Sequence, residues 1–412
     1  MPMNIKRPNA FIYFLAYILI YPLLKIFYNL KIDRKGFKMP KGSYIVLSNH
    51  LTMYDFLLVM LSFYPRRLNA VTAQKFFMYK PLNKFLPALG CISKNMFDPD
   101  VRSVISIKTV LKRGGGVLLF AEGRCSGTHA YVGIHKATGK LLKKFGVPVV
   151  SAYLEGVTNC MPHWRKGTRF GRVRITYRNL FAADDLKQKS VDEINAEIDE
   201  RLGSSVCTTP PKKPFETYRA KRLAEGLEQM LYFCPKCERE FVMTSEGNIL
   251  RCYACGFEAE LTRQGKLVHG ENSELTDDIS VWVQNQVRFA MKAISADMEP
   301  IIETVKVRTP SPVSGDGMIE SGYGTVMLSP KGWFFEGIIS DEPTSLFFPI
   351  DTLPAISYDH CNNFQLYHEG NFYMFVPKDP RMCLKYVILT EGMHWRFAKN
   401  PLLTPGVNSG YL

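Results

Sequence analysis

An alternation of short apolar runs with longer amphipathic stretches, from Ser43 to about Leu180, constrains this chain most. The short runs predict buried strands and the longer stretches predict helices. Such alternation is typical of an α/β domain with a largely buried sheet. The predicted strands are 44–47, 68–72, 117–120, 147–153 and 173–177, and the predicted helices are 53–61, 101–112 and 134–145.

The segment SNHLTMYD, residues 48–55, joins the first predicted strand to the first predicted helix. His50 and Asp55 meet if His50 lies in the turn before the helix and Asp55 in its first turn, where a carboxylate also suits the helix dipole. A histidine held by a carboxylate can take a proton from an alcohol. A histidine that only caps the helix is the alternative.

A second motif follows the predicted strand 117–120 at once and reads FAEGRCS from Phe120 to Ser126. With it, the sequence resembles the glycerolipid acyltransferase family, the lysophosphatidate acyltransferases and their relatives. Their NHxxxxD motif is matched by Asn49, His50 and Asp55, and their third motif is commonly FPEGTRS. Ala121 here replaces the usual proline, and Arg124 stands one position earlier than the common arginine.

The resemblance implies transfer of an acyl group from acyl-coenzyme A or acyl carrier protein to the free hydroxyl of a lysophospholipid. Lysophosphatidate giving phosphatidate is the leading case. His50 would be the base and Asp55 would hold it, with backbone N–H groups near the motif turns as donors to the oxyanion. The resemblance assigns acceptor binding to Asn49, Glu122, Gly123, Arg124 and Ser126.

Two weaker blocks also resemble the family. Lys94, or alternatively Arg102, would supply the charge of the second motif, and 147–150 resembles the fourth. Cys125 raises a rival reaction, a thioesterase or acyl-enzyme that pairs a thiolate with histidine. The acyltransferase scheme needs no enzyme nucleophile, so the sequence favours the acyltransferase.

The N-terminus carries an apolar segment from Ala10 to Leu24 behind Lys6-Arg7-Pro8. Its uninterrupted apolar core is short of the roughly 20 residues that span a bilayer, and Pro22 and Lys25 weaken the spanning interpretation. The segment predicts a retained helix in or on the cytoplasmic face of the cell membrane. A single span is the rival, and an ordinary core helix is the third possibility.

Two Cys-x-x-Cys pairs, Cys234 with Cys237 and Cys252 with Cys255, stand 14 residues apart. Four thiolates at this spacing predict a structural zinc site, with iron as the chief rival. The pattern resembles a zinc ribbon. Because 238–241 is not notably basic, nucleic acid is disfavoured as its partner.

The predicted domain order places a membrane-associated helix at 1–30, the acyltransferase domain at 31–207, and a linker with a helix from about Tyr218 to Leu231 at 208–231. A zinc ribbon follows at 232–263 and a helix at 276–300. Residues 301–412 show two hairpin patterns and a final helix, predicted at 382–397. By pattern, this last region resembles a pleckstrin-homology or GRAM-like domain.

The chain has 52 basic and 38 acidic residues, a net charge of +14. This excess suits an anionic partner, which can be nucleic acid, an anionic membrane surface or a phosphorylated substrate. The alternative to an enzyme is an inactive acyltransferase-like membrane protein that acts as a zinc-ribbon binding or regulatory module. A zinc-ribbon nucleic-acid protein is disfavoured by the two catalytic motifs.

Overall fold

The computed structural model describes residues 5–95, 100–123, 125, 133–134, 137–164, 169–203, 218–270, 275–359 and 362–398. These residues divide into two compact units. The first comprises the described residues up to 220 except 163–164, and the second comprises 163–164 and the described residues from 221 onward.

The first unit is an α/β domain on a seven-stranded sheet. Its strands are β1 (Lys31–Asp33), β2 (Tyr44–Ser48), β3 (Leu68–Ala73), β4 (Ile92–Lys94), β5 (Gly116–Phe120), β6 (Val149–Glu155) and β7 (Arg174–Phe181). Its helices are α1 (Ala10–Phe27), α2 (Asp55–Ser62), α3 (Leu82–Ala88), α4 (Val101–Lys112), α5 (Ala137–Phe145), α6 (Val157–Cys160), α7 (Ala183–Gln188) and α8 (Val191–Ile198). The strand order is β1-β7-β6-β2-β5-β3-β4. Pairing from β6 through β4 is parallel, and β7 runs antiparallel to β6.

Both faces of this sheet are covered, which explains why its central strands β2 and β5 are almost wholly apolar. In β2 and β5, Val46 and Leu118 enter one buried cluster, together with residues of α2. Ile45 and Leu119 enter the cluster on the other face, with residues of α4, α5 and α8.

Helix α1 covers the first cluster with one side only. Asn9 caps its start, and Tyr13 is buried and donates a 2.7 Å hydrogen bond to the carbonyl oxygen of Met60. By length and composition the helix could cross a membrane, and 11% of it is buried. Its exposed large apolar side chains are Phe11, Phe14, Leu15, Ile18, Leu19, Leu23 and Ile26.

Several predicted elements are confirmed and one is wrong. Helix α4 has the predicted bounds. The predicted capping box is present, since Ser190 Oγ accepts from the Glu193 amide and the Glu193 carboxylate accepts from the Ser190 amide. The helix predicted at 218–231 is wrong. Gly226 adopts a φ of +91°, which interrupts helical geometry, and this segment holds only a 3-10 turn at Leu227–Gln229.

The second unit begins with a small antiparallel sheet and a helix. These elements are β8 (Met243–Glu246), β9 (Ile249–Cys252), β10 (Glu258–Leu261), β11 (Leu267–Val268) and α9 (Ile279–Lys292). The sheet has the order β11-β10-β9-β8, and α9 is capped by Asp278.

A seven-stranded antiparallel sheet and a final helix complete the second unit. They are β12 (Ile301–Pro310), β13 (Met318–Ser329), β14 (Gly332–Ile339), β15 (Glu342–Pro349), β16 (Ser357–Asp359), β17 (Asn363–His368), β18 (Asn371–Pro377) and α10 (Met382–Phe397). Both predicted hairpins and the predicted final helix are confirmed. The resemblance to a pleckstrin-homology or GRAM-like domain stays a prediction.

Candidate active site and metal site

The two sequence motifs meet because β2 and β5 are neighbouring parallel strands. Ser48 pairs with Phe120 at the carboxyl ends of the two strands. One residue further on, the amide of Ala121 donates a 3.0 Å hydrogen bond to the carbonyl oxygen of Ser48. The turns that follow both strands therefore lie at one edge of the sheet, where α/β folds commonly place their ligands.

His50 and Asp55 form the predicted pair. His50 lies in the turn after β2, and Asp55 is the first residue of α2. The distance between His50 Nδ1 and Asp55 Oδ2 is 3.0 Å. The Asp55 side chain is fully buried, whereas 21% of the His50 side chain is exposed. With Nδ1 directed at the carboxylate, Nε2 is the nitrogen on the opposite side of the ring that can exchange a proton with a substrate.

Asp55 also holds the turn that carries His50. Its Oδ2 accepts from the amides of Leu51 and Thr52 at 2.5 and 2.9 Å, and its Oδ1 accepts from the Thr52 hydroxyl at 2.9 Å. Burying a carboxylate without such donors would be costly in free energy. Thr52, which sequence reasoning missed, is therefore part of this arrangement, and its place among the variable positions of NHxxxxD gave no signal.

Glu122 contacts the backbone of His50. Its Oε1 accepts a 2.8 Å hydrogen bond from the amide of His50, and the residue is 7% exposed. Two residues earlier, Phe120 stacks on the His50 ring with centroids 4.1 Å apart and an interplanar angle of 20°. Phe120 was also missed as a functional residue, although it opens the third motif.

The backbone amides near the motif turns were expected to donate to the oxyanion, but three amides of the first motif turn already have other acceptors. Those of His50, Leu51 and Thr52 all donate to carboxylates, to Glu122 in the first case and to Asp55 in the other two. An acyl oxyanion needs donors that are aimed at it and not already engaged. The expectation is therefore wrong for residues 50–52.

Asn49 is turned into the sheet. Its amide nitrogen donates to the Leu154 carbonyl oxygen at 3.0 Å, its amide oxygen accepts from the Leu154 amide at 2.8 Å, and the residue is 1% exposed. This geometry favours bracing of β2 against β6 over the predicted acceptor contact.

The structure describes some of the other predicted acceptor-binding residues. Gly123 has a φ of +70°, a conformation in which glycine is strongly preferred, and its amide donates to the Phe120 carbonyl oxygen. Arg124 and Ser126 lie outside the described residues. Lys94 ends β4, two strands from β5 and at the same edge as His50, which sets it about 10 Å from the end of β5.

The four predicted metal ligands lie together in the second unit. The sulfur atoms of Cys234, Cys237, Cys252 and Cys255 are all within 4.8 Å of one another. The sulfurs of Cys234 and Cys255 are 3.7 Å apart, and those of Cys237 and Cys252 are 3.8 Å apart. A tetrahedral zinc ion with bonds of about 2.3 Å sets its sulfur ligands about 3.8 Å apart. The four thiols therefore fit a zinc-sized tetrahedral ion.

The two Cys-x-x-Cys turns, 234–237 and 252–255, are called knuckles here and have matching backbone geometry. The carbonyl oxygen of Cys234 accepts from the Glu238 amide, and that of Cys252 accepts from the Gly256 amide in the same way. Glu238 and Gly256 both have positive φ angles, +53° and +70°. Each chain reversal thereby directs a pair of sulfurs to one side.

Comparison with known families finds a match, which lies within the first unit. A family model described as Acyltransferase matches residues 31–155, a range that contains both motifs. A search of the curated proteins found no match.

Among solved structures, the chain is similar to the crystal structure of the 1-acyl-sn-glycerophosphate (LPA) acyltransferase, PlsC, from Thermotoga maritima. The sequence identity is 17% and the TM-score is 0.39, and the match covers 48% of this chain and 86% of that chain.

Proposed function

We propose that the first unit is an O-acyltransferase that moves a fatty acyl group from a thioester to the free hydroxyl of a lysophospholipid. The observation that carries this proposal is the pair His50 Nδ1 and Asp55 Oδ2, 3.0 Å apart, at the strand edge that also bears the third motif. The family match over residues 31–155 supports acyl transfer as the reaction class.

In the proposed reaction, His50 Nε2 takes the proton of the acceptor hydroxyl. The acceptor oxygen bonds to the thioester carbonyl carbon, the carbon–sulfur bond breaks, and the proton passes to the leaving thiolate. The products are an ester and a free thiol. Asp55 keeps the ring in the tautomer that leaves Nε2 able to accept, and its charge favours the imidazolium while the proton is held.

The proposed acceptor is lysophosphatidate, which would become phosphatidate. The chemistry of the predicted contacts supports a phosphorylated acceptor, because a guanidinium such as that of Arg124 binds phosphate through two parallel hydrogen bonds. Lys94 brings a second cation to the same edge of the sheet. The donor is acyl-coenzyme A or acyl carrier protein, both of which present the same thioester to the site.

The proposed location is an anionic membrane surface on the cytoplasmic face, with α1 as the contact. Its outer side exposes seven large apolar side chains, and Phe11 and Ile26 are about 70% exposed. The first 95 residues contain 14 lysines and arginines and two acidic residues. An apolar helix face in a strongly basic setting binds acidic lipids through burial and charge together.

We assign a structural metal ion, zinc with iron as the rival, to the four cysteines of the second unit. All four ligand positions are supplied by thiols, which is typical of closed structural sites. Such an ion would hold the two knuckles together. It has no part in the proposed acyl transfer.

One assay tests the function. The purified full chain is given acyl-coenzyme A and vesicles that contain lysophosphatidate, and release of free thiol and formation of phosphatidate are both measured. His50→Ala should lose about 100- to 10,000-fold in rate, as is usual when a general base is removed. His368→Ala, in β17 of the second unit, is the matched control and should keep its activity.

The outcomes separate the candidate functions. Absence of transfer by the wild type with every lysolipid and donor tried would favour the inactive binding or regulatory module. Transfer that survives in His50→Ala would assign the base to another residue.

A further inference from the structure

The turn that carries His50 is held by carboxylates from two different parts of the chain. Asp55, in the helix that follows, accepts from the amides of Leu51 and Thr52. Glu122, which is 72 residues away and follows the neighbouring strand, accepts from the amide of His50 itself. Three successive amides are therefore anchored, and the one on His50 depends on the third motif.

The third motif also holds the His50 side chain. Phe120 is the last residue of β5, and Glu122 lies in the turn that follows it. The Phe120 ring lies nearly parallel to the imidazole at 4.1 Å, while the Glu122 carboxylate contacts the amide of the same residue. Ring plane and backbone position are thus both determined by one strand end.

We propose that Glu122 is a positioning residue for the base, acting through the backbone of His50. This inference rests on the proposed acyl transfer. It differs from the role implied by the family resemblance, in which Glu122 contacts the acceptor, because the bond it makes is to the enzyme's own base-bearing turn.

Binding the acceptor and positioning His50 have different kinetic consequences. A group that only binds the acceptor changes KM for that acceptor, whereas a group that aligns the base changes the rate of the chemical step. Displacement of a catalytic group by about 1 Å can cost 100-fold in rate. Loss of the Glu122 hydrogen bond frees the His50 amide and allows such a displacement.

Two substitutions test the proposal through kcat and KM. Glu122→Ala removes the acceptor of the hydrogen bond and should lower kcat about 10- to 100-fold with KM for lysophosphatidate changed less than about twofold, the range for losing one bond to a charged group. Glu122→Gln keeps a carbonyl oxygen that can accept from the same amide and should restore most of kcat. Glu197 lies on α8 and makes an ion pair with Lys189, so Glu197→Ala is the control for loss of a carboxylate and should match the wild type.

A rise in KM with kcat unchanged, in both Glu122 variants, would overturn the proposal and return Glu122 to the acceptor site. A second readout is the hydrogen-exchange rate of the His50 amide, which should increase in Glu122→Ala and stay near the wild-type rate in Glu122→Gln. Equal exchange in all three proteins would also overturn the proposal. If the wild type has no transfer activity but the exchange result is obtained, the proposed function fails and the anchoring of His50 by Glu122 stands.

Discussion

The hydroxyl of Thr52 donates a 2.9 Å hydrogen bond to Oδ1 of Asp55, the oxygen that does not contact His50. Both residues are almost completely buried, at 2% and 0% exposure. The hydroxyl therefore fixes the rotation of the carboxylate, and the carboxylate in turn fixes the tautomer of His50.

Thr52→Val keeps the shape of the side chain and removes this donor. Leaving a buried charged oxygen short of a partner costs about 1–3 kcal/mol, so kcat is expected to fall about tenfold. Thr52→Ser retains the hydroxyl and should stay close to the wild-type kcat. Equal rates for wild type and Thr52→Val would show that the other three bonds to Asp55 suffice to align it.

Phe120→Leu tests the stacked ring. Leucine keeps an apolar side chain at this partly buried position but cannot stack on the imidazole, so His50 gains rotational freedom and kcat should fall several-fold. Phe120→Tyr keeps the stacking and should retain most activity. Measurements of kcat and thermal stability of the three proteins separate the two effects, because a stability loss with unchanged kcat would assign Phe120 to packing alone.

The strands of the first unit were predictable where a short apolar run is compatible only with a buried strand. Strands β2 and β5 are almost wholly apolar because both faces of the sheet are buried, and the predicted bounds are correct to within one residue. The absence of a helix at 218–231, a segment that lies mostly in the second unit, was not predictable from the sequence. The composition of this segment is compatible with a helix, but Gly226 adopts a positive φ that interrupts helical geometry.

The candidate site was predictable where the spacing fixed the geometry. His50 and Asp55 could meet only across a strand-to-helix turn, and they do so. The contacts of Glu122 and Asn49 could not be predicted from the sequence, because both are made to backbone groups that are distant in the chain. Glu122 contacts the backbone of His50, and Asn49 contacts the backbone of Leu154. A motif names side chains but does not show which backbone groups they bind.

Membrane binding is expected to depend on the exposed face of α1. Ile26→Asp places a charge at a site that is 72% exposed, where it should not disturb folding but should oppose insertion. Sedimentation with vesicles rich in anionic phospholipid should show weaker binding of this variant than of the wild type, and binding should weaken further as salt is raised. Ile302→Asp, at an exposed isoleucine in β12, is the matched control. Equal loss in both variants would contradict the assignment of the contact to α1.

The carboxylate of Asp379 should make stability of the second unit depend on acidity. Partial burial favours a higher pKa for Asp379, but the bonds from the Arg381 guanidinium and amide outweigh it and hold that pKa below its ordinary value. A lowered pKa in the folded state adds stability above the unfolded pKa of about 3.9, and this is lost as the pH falls through the folded pKa.

Asp379→Asn is therefore expected to lower the urea midpoint at pH 7, with the difference from wild type shrinking below about pH 4. All four tryptophans lie in the second unit, so their fluorescence reports its unfolding. Asp341→Asn, in the exposed turn between β14 and β15, is the control and should show no such difference. A difference that persists unchanged at low pH would assign the effect of Asp379→Asn to packing.

Removal of the metal should loosen more than the two knuckles, because the segment after Cys237 is held by α10. Lys385 makes a 2.6 Å ion pair with Glu240, and Arg381 donates a 2.6 Å hydrogen bond to the carbonyl oxygen of Phe241. Chelation should therefore raise amide hydrogen exchange both in the knuckles and at the start of α10. Elemental analysis should find about one ion per chain in the wild type and in Cys125→Ser, and none in Cys255→Ser. Absence of metal from the wild type, or unchanged exchange after chelation, would contradict a structural ion that stabilises this contact.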